Sequence, residues 1–464
     1  MKNKMQNFRE FFKNKKVTVV GLGLLGKRLG DIAFLAENGA KVLVTDLKTE
    51  KELAPSIKKL KKYNLPRNGR GNITYVLGEH RLEDFDSCDF VLKGQGVPLD
   101  SRYIKYADSK GIPIEMDESL FAKLAPKVKI IGVTGTRGKS TTTILIYEIL
   151  KASGMRVHLG GNIKGTAALP LLNVVKDWDV VVFELSSWQL QGFGEAKISP
   201  NISVFTNFMP DHMNYYKDNL KEYLKDKSYI YKFQKKPARN AAHSAAGGDN
   251  VLVLGPSLKG KIRDIKGKLL TANIKNIPKT WKIKLKGKHN LENIACAIEV
   301  ARVLKVKEEI IRKTVENFKA VSGRLELVKT VKGIEIYNDT NSCTPEATSV
   351  ALQALGSKNK NIVLIMGGSD KNLDFKSLLK DIKKYAKAVV LLPGNGTNRI
   401  IKDLKKTKVS VYEEKNLKDA IEKSLGLASR QDILLFSPAF ASFNMFKNEY
   451  DRGEQFMKII KSLK

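Results

Sequence analysis

The sequence predicts an α/β protein of three domains, spanning residues 1–125, 126–320 and 321–464. Two observations carry that expectation. Short apolar runs rich in Val, Ile and Leu recur at distances that leave room for one helix between them, the βαβ period of parallel sheets. Most of these runs end in glycine-rich or polar turns, and three such stretches divide a chain of 464 residues, a length that suits about three domains.

The first stretch opens with a β-rich run at Lys16–Val20. It leads into Gly21-Leu22-Gly23-Leu24-Leu25-Gly26, then a helical pattern as far as Asn38-Gly39. A second strand over Lys41–Thr45 ends at Asp46. This is a Rossmann-like βαβ unit carrying GxGxxG with an acidic residue after its second strand. The motif reports only that a backbone approaches a diphosphate. On its own it fits an NAD-dependent oxidoreductase.

The second stretch is the most informative. The strand Lys129–Val133 runs into Thr134-Gly135-Thr136-Arg137-Gly138-Lys139-Ser140-Thr141 and a helix through Leu150. This P-loop-type arrangement lets Gly135 and Gly138 turn backbone N–H groups onto a polyphosphate. Lys139 adds a point charge, and Ser140 has the hydroxyl a magnesium ion takes. The spacing is not the strict Walker one, whose first glycine would fall at Val133. Two more strands, Asp179–Phe183 and Ile202–Thr206, run into Glu184-Leu185-Ser186-Ser187 and into Asn207 through His212. Ligands of open α/β sheets bind beyond the carboxyl ends of the strands, so three polar clusters at three such ends predict one shared site. Glu184 is either polar trim or a metal ligand there, and His212 a metal or phosphate contact. Lys227 reads locally as one of many helical lysines. His289, Asn290 and Asn293 share a helical face, as caps or as base contacts. Residues 236–250 read as a surface loop.

The third stretch begins near Val321. Its strands are expected at Ile334–Tyr337, Asn361–Met366, Ala388–Leu392 and Ile433–Phe436. Asp339, after the first, could cap a helix or bind a ribose. Ser437 through Ser442, after the last, suit a tight turn or an anion pocket.

The net charge is +34, with 82 Lys and Arg against 48 Asp and Glu. A nucleic-acid-binding ATPase would explain it. The lysines are spread along the whole chain, however, and no arginine-rich arm or aromatic RNA-binding motif accompanies them, so no nucleic-acid partner is expected. The three cysteines, Cys88, Cys296 and Cys343, match no zinc or redox spacing. No apolar run is long enough to cross a bilayer, and Met1 to Lys16 lacks the apolar core of a signal peptide. A cytoplasmic enzyme without membrane insertion is expected.

The motifs, in order, are GxGxxG at 21–26, GTRGKSTTT at 135–143, GGNIKG at 160–165, ELSSWQL at 184–190 and TNFMPDHMNYY at 206–216. They continue with KGKHNLENIACAI at 286–298, SGRLE at 322–326, YNDTNSCTPEAT at 337–348, GGSDKNLDF at 367–375 and SPAFASFNMFKNEYDRG at 437–453. This series resembles the Mur ligases of peptidoglycan synthesis over nearly the whole chain. The resemblance implies a UDP-binding rather than NAD-binding first domain, a central ATPase domain, and a third domain that closes over both and binds the amino acid. It implies ATP and Mg2+ as cofactors, and UDP-N-acetylmuramoyl-L-alanine and D-glutamate as substrates of a monomeric enzyme.

Carried over residue by residue, the resemblance places Gly135, Thr136, Gly138, Lys139, Ser140 and Thr141 around the ATP phosphates. Asn293, Arg324 and Asp339 match the adenine, phosphate and ribose contacts. Ser140, Glu184, His212 and Lys227 match the metal site, Lys227 as a carbamate. Lys139, His212 and Lys227 are then the catalytic set. Gly23, Leu24, Asp46 and Gly96 lie in the loops that hold UDP, and Asn162 contacts substrate and phosphates. Lys371 and Ser442 match the residues that hold the D-glutamate carboxylates. The implied chemistry is phosphorylation of a carboxylate by ATP, then attack of an amine on the acyl phosphate. The chain departs from the family's usual pattern at Asn341 and Cys343, where lysine and threonine are common, and at Glu449, where phenylalanine is. The Asp-Asn-Pro-Arg motif of the diaminopimelate- and lysine-adding branch is absent.

Overall fold

The structure, a computed structural model, describes residues 8–22, 27–63, 73–236, 250–442 and 445–463. Gly23 and Leu24, and nearly all of the loop expected at 236–250, lie outside them.

Three sheets organise the described residues. The first has the strands β1 (Lys16–Val20), β2 (Lys41–Asp46), β3 (Ile73–Leu77), β4 (Phe90–Lys93) and β5 (Ile114–Glu115), all parallel, in the order β3-β2-β1-β4-β5. The second has β6 (Lys129–Thr134), β7 (Val157–Gly161), β8 (Val180–Glu184), β9 (Ile202–Phe205), β10 (Val251–Leu254) and β11 (Lys268–Thr271), again all parallel, in the order β11-β10-β9-β6-β8-β7. The third has β12 (Glu326–Val331), β13 (Ile334–Asn338), β14 (Ile362–Gly367), β15 (Ala386–Leu392), β16 (Ser410–Glu413) and β17 (Ile433–Phe436), in the order β12-β13-β17-β14-β15-β16. Only the pairing of β12 with β13 is antiparallel. Strands β4, β6, β8, β9, β10, β14 and β17 are almost entirely buried, as expected where helices cover both faces of a sheet.

These sheets gather into two compact units. One comprises Met1–Lys279 with Glu292–Val315, the other Thr280–Leu291 with Glu316–Lys464. In the first unit, the first two sheets share a single apolar core that runs from Phe12 and Phe34 through Phe121 to Phe183, Phe193 and Phe205. The Phe121 and Phe183 rings meet edge to face at 5.4 Å, and each such fully buried side chain contributes about 1.5–3 kcal/mol of transfer free energy. Polar contacts add register. Asp31 Oδ1 accepts from Leu169 N–H at 3.1 Å, and the Gln189 amide donates to Glu118 Oε1. In the second unit, the sheet carries one apolar layer on each face. Leu352, Leu378, Ile382, Ile400 and Leu404 pack on one side, and Leu417, Ile421, Phe456 and Ile460 on the other.

Candidate active site

The phosphate loop joins β6 to the helix Lys139–Ala152. Its glycines are required sterically. Gly135 has φ 149°, and a Cβ there would lie 1.9 Å from Thr206 Oγ1. Gly138 has φ 81°, and a Cβ there would lie 2.1 Å from Asn293 Oδ1. The loop is braced by the end of β9. Asn207 Oδ1 accepts from Arg137 N–H at 2.8 Å, and Thr206 Oγ1 and Asn207 Nδ2 donate to Arg137 O at 2.6 and 3.1 Å. Thr136 exchanges hydrogen bonds with the Met209 backbone, both at 3.1 Å. Ser140 and Thr141 follow on the first turn of the helix, Ser140 partly exposed and Thr141 buried.

Two amines converge on this loop. Lys139 Nζ donates to the carbonyls of Gly135 and Thr136 at 2.9 and 3.1 Å, and Lys227 Nζ donates to Gly135 O at 3.0 Å. Lys227 is buried on the helix Leu220–Ser228, its amine 4.7 Å from the Tyr223 ring centroid. Burial, then the charge of Lys139, holds its pKa well below the ordinary lysine value. The structure thus separates Lys227 from the surface lysines with which its local sequence groups it.

His212 lies at the entrance to the short helix Met213–Tyr216 with φ 56°, uncommon for a residue with a side chain. Its ring packs 4.6 Å from that of Trp188. Asp211 accepts from Arg137 NH1 at 2.6 Å and from the His212 N–H at 3.0 Å. Burial alone would raise the Asp211 carboxyl, but Arg137, His212 and Lys139 pull it down to about 2. Partial burial lowers the His212 imidazole, although its side chain stays 41% exposed; Asp211 opposes this, and Lys139, Lys227 and Arg137 lower it further, to about 4. At neutral pH the ring is neutral and has a lone pair to offer.

Glu184 is the last residue of β8, one position further into the strand than the sequence pattern predicts. Asn162 donates to its Oε1 at 3.2 Å from the end of β7, while the buried Oε2 has no hydrogen-bond partner. A buried carboxylate oxygen without a donor is costly unless a cation meets it. Together with the Ser140 hydroxyl and the neutral His212 ring, this fits a hard divalent cation that also takes phosphate oxygens.

At the first sheet, Asp46 ends β2 and its carboxylate accepts from the N–H groups of Leu22 and Lys48 at 2.8 and 2.9 Å, tying down the turn after β1. Gly96 is exposed in the turn after β4, where the buried Lys93 amine donates to Val97 O at 2.7 Å. In the second unit, Asp339 is buried beyond β13 and accepts from Leu325 N–H at 2.9 Å and Ser437 Oγ at 2.7 Å. Arg324 is near enough to act on its charge. Ser369 and Ala441 bridge through two backbone hydrogen bonds of 3.0 and 3.1 Å, which sets exposed Lys371 and buried Ser442 on adjoining turns. Asn341 donates to Ser322 O at 3.3 Å, and Cys343 Sγ lies 3.1 Å from the Arg452 guanidinium.

Comparison with known proteins places this arrangement. Residues 133–301 match the Mur ligase middle domain, and residues 323–440 match the Mur ligase glutamate ligase domain. A UDP-N-acetylmuramoylalanine–D-glutamate ligase of Borreliella afzelii is 36% identical, covering 97% of this chain and 98% of that protein. One of Clostridium botulinum is 33% identical, with all of both chains covered. The chain belongs to the Mur ligase family. Among solved structures, the Thermotoga maritima UDP-N-acetylmuramate-alanine ligase MurC has a TM-score of 0.62 at 20% identity, covering 97% of this chain and all of that one. MurF of Acinetobacter baumannii has a TM-score of 0.56 at 15% identity, covering 98% and 92%. Both share its fold.

In this Mur ligase the sequence pattern missed several residues that pack around the candidate site. Arg137 lies inside the phosphate-loop motif and Asp211 beside His212, yet neither stands out, because a pairing across 74 positions leaves no local signal. Trp188 was visible only as part of a motif. Among the described residues no helix is long and apolar enough to cross a membrane.

Proposed function

We propose that this Mur ligase joins D-glutamate to UDP-N-acetylmuramoyl-L-alanine, as the names of its full-length relatives state for them, and that ATP drives the reaction. The observation that carries the reading is the phosphate loop with the Lys139 ammonium at its hub, in a chain colinear with those ligases. Lys139 and the loop N–H groups would hold the phosphates and stabilise charge on the transferring phosphoryl group. Asn293, Arg324 and Asp339 would bind the rest of the nucleotide. Ser140, Glu184, His212 and a carbamylated Lys227 would hold Mg2+, which supplies charge neutralisation at the phosphates. Asn162 would meet substrate and phosphate. Gly23, Leu24, Asp46 and Gly96 would hold UDP, and Lys371 and Ser442 the amino-acid carboxylates. The functional division is 1–125 for UDP, 126–320 for ATP and 321–464 for the amino acid, in a cytoplasmic monomer without a nucleic-acid partner.

Asn341, Cys343 and Glu449 favour a second reading within the family, a ligase for another amino acid. Phosphate release from ATP with UDP-N-acetylmuramoyl-L-alanine and a panel of amino acids tests both. Release with D-glutamate is expected, and release with a different amino acid alone would overturn the first reading.

A further inference from the structure

From the phosphate loop, the Arg137 side chain reaches back to the segment carrying His212. Its NH1 donates to Asp211 Oδ2 at 2.6 Å, in an ion pair whose side chains are 33% and 17% exposed, so solvent only partly screens it. Its backbone is clamped at both N–H and C=O by Thr206 and Asn207, so the guanidinium starts from a fixed point. The other Asp211 oxygen accepts from the His212 N–H at 3.0 Å, and Asp211 Oδ2 lies 3.6 Å from His212 Nε2. His212 holds a left-handed backbone that persists only where its surroundings fix it. The chain of contacts therefore runs from the nucleotide loop, through one carboxylate, to the backbone and ring of the imidazole.

We propose that Arg137 is a positioning residue that, through Asp211, fixes His212 in the orientation needed to meet a metal–nucleotide complex. The pair does two things. It anchors the turn at His212, and it keeps the Asp211 carboxylate engaged, so that this anion does not compete with His212 for the cation or with phosphate for Lys139. The inference rests on the reading of His212 as a metal-facing residue.

The test uses the full chain and four variants: Arg137→Met, Arg137→Lys, Asp211→Asn and the double variant Arg137→Met/Asp211→Asn. Mn2+ binding is read by electron paramagnetic resonance with a non-hydrolysable ATP analogue, and metal-free nucleotide binding by calorimetry. Supporting ligands of metal-binding histidines are worth about 10–100-fold in affinity, so Arg137→Met should weaken Mn2+ binding by about tenfold or more. Nucleotide affinity should hardly change, Arg137→Lys should recover part of the loss, and the double variant should be no worse than the poorer single one. In turnover, kcat should fall while KM for ATP stays near that of the parent. Unchanged Mn2+ binding in folded Arg137→Met, additive losses in the double variant, or a loss confined to nucleotide affinity would each overturn the inference. Absence of Mn2+ binding by the parent enzyme would overturn the metal reading beneath it, and this inference with it.

Discussion

Lys139 and Lys227 donate to the same carbonyl oxygen, that of Gly135, at 2.9 and 3.0 Å. Two ammonium groups on one acceptor repel each other, and the buried one gives way. Burial and the charge of Lys139 both disfavour the protonated form of Lys227. A neutral amine beside a phosphate loop is a nucleophile for carbon dioxide, forming an N–C bond and releasing one proton to give a carbamate. The Lys227→Ala enzyme should lose most of its activity and regain part of it when a short carboxylic acid is supplied. Full activity of Lys227→Ala without the acid would remove the carbamate role.

Lys139 has the other task. Its ammonium is placed on the loop by two carbonyls, where a phosphate oxygen can exchange for them. Removing it should cost several kcal/mol in the transition state, on the order of a thousandfold in kcat. Lys139→Ala should keep its melting temperature and lose phosphate release. A folded variant with near-normal turnover would sink the assignment.

The loop's shape is as constrained as its charge. At Gly138 a methyl group would collide with the Asn293 side chain, and φ 81° is itself unfavourable for alanine. Gly138→Ala should therefore lower stability by about 1–3 kcal/mol and weaken nucleotide binding together with it. Asn293→Ala relieves the collision, so the double variant should recover stability relative to Gly138→Ala. No recovery would mean that backbone strain, not the Asn293 contact, fixes the glycine.

The first sheet should bind UDP and not NAD. GxGxxG fits any diphosphate, and the Asp46 carboxylate is already bonded to the N–H groups of Leu22 and Lys48. Titration calorimetry with each nucleotide decides the matter, and tight NAD binding without UDP binding would reverse it.

The α/β character of the chain and the phosphate loop were legible because each rests on local pattern: apolar runs such as Ile130–Val133 and Ile433–Phe436, and glycines at turns that other residues adopt only with strain. The strands β3, β4, β5, β7, β10, β11, β12 and β16 went unread, since runs of two to six residues carry little periodicity whether they are buried or exposed. Glu184 and His212 stood out as candidates from their places after apolar runs. Lys227 was not, because what distinguishes it is burial against Tyr223 and a carbonyl 92 positions away. The Arg137–Asp211 pair was hidden for the same reason. A charge run reads as a solvated face until the fold shows which member is covered.

Asp339 gives the pH dependence of the second unit. Burial pushes its carboxyl up to about 6, against the hydrogen bonds from Ser342, Ser437 and Leu325 and the charge of Arg324, which lower it. The unfolded value is about 3.9. Between these two values the folded state binds the proton more tightly than the unfolded chain, so stability falls as pH rises through this window and is constant above it. A rise of this size corresponds to about 3 kcal/mol, present as added stability only at the acid end. Other carboxylates titrate over the same range, so the comparison is with Asp339→Asn, which is neutral throughout and can still accept from Leu325 N–H. Melting temperatures of parent and variant should be nearest at about pH 4 and should diverge in favour of the variant by about pH 7. A difference that stays flat across that range would show that Asp339 ionises in the folded protein as it does in the unfolded chain.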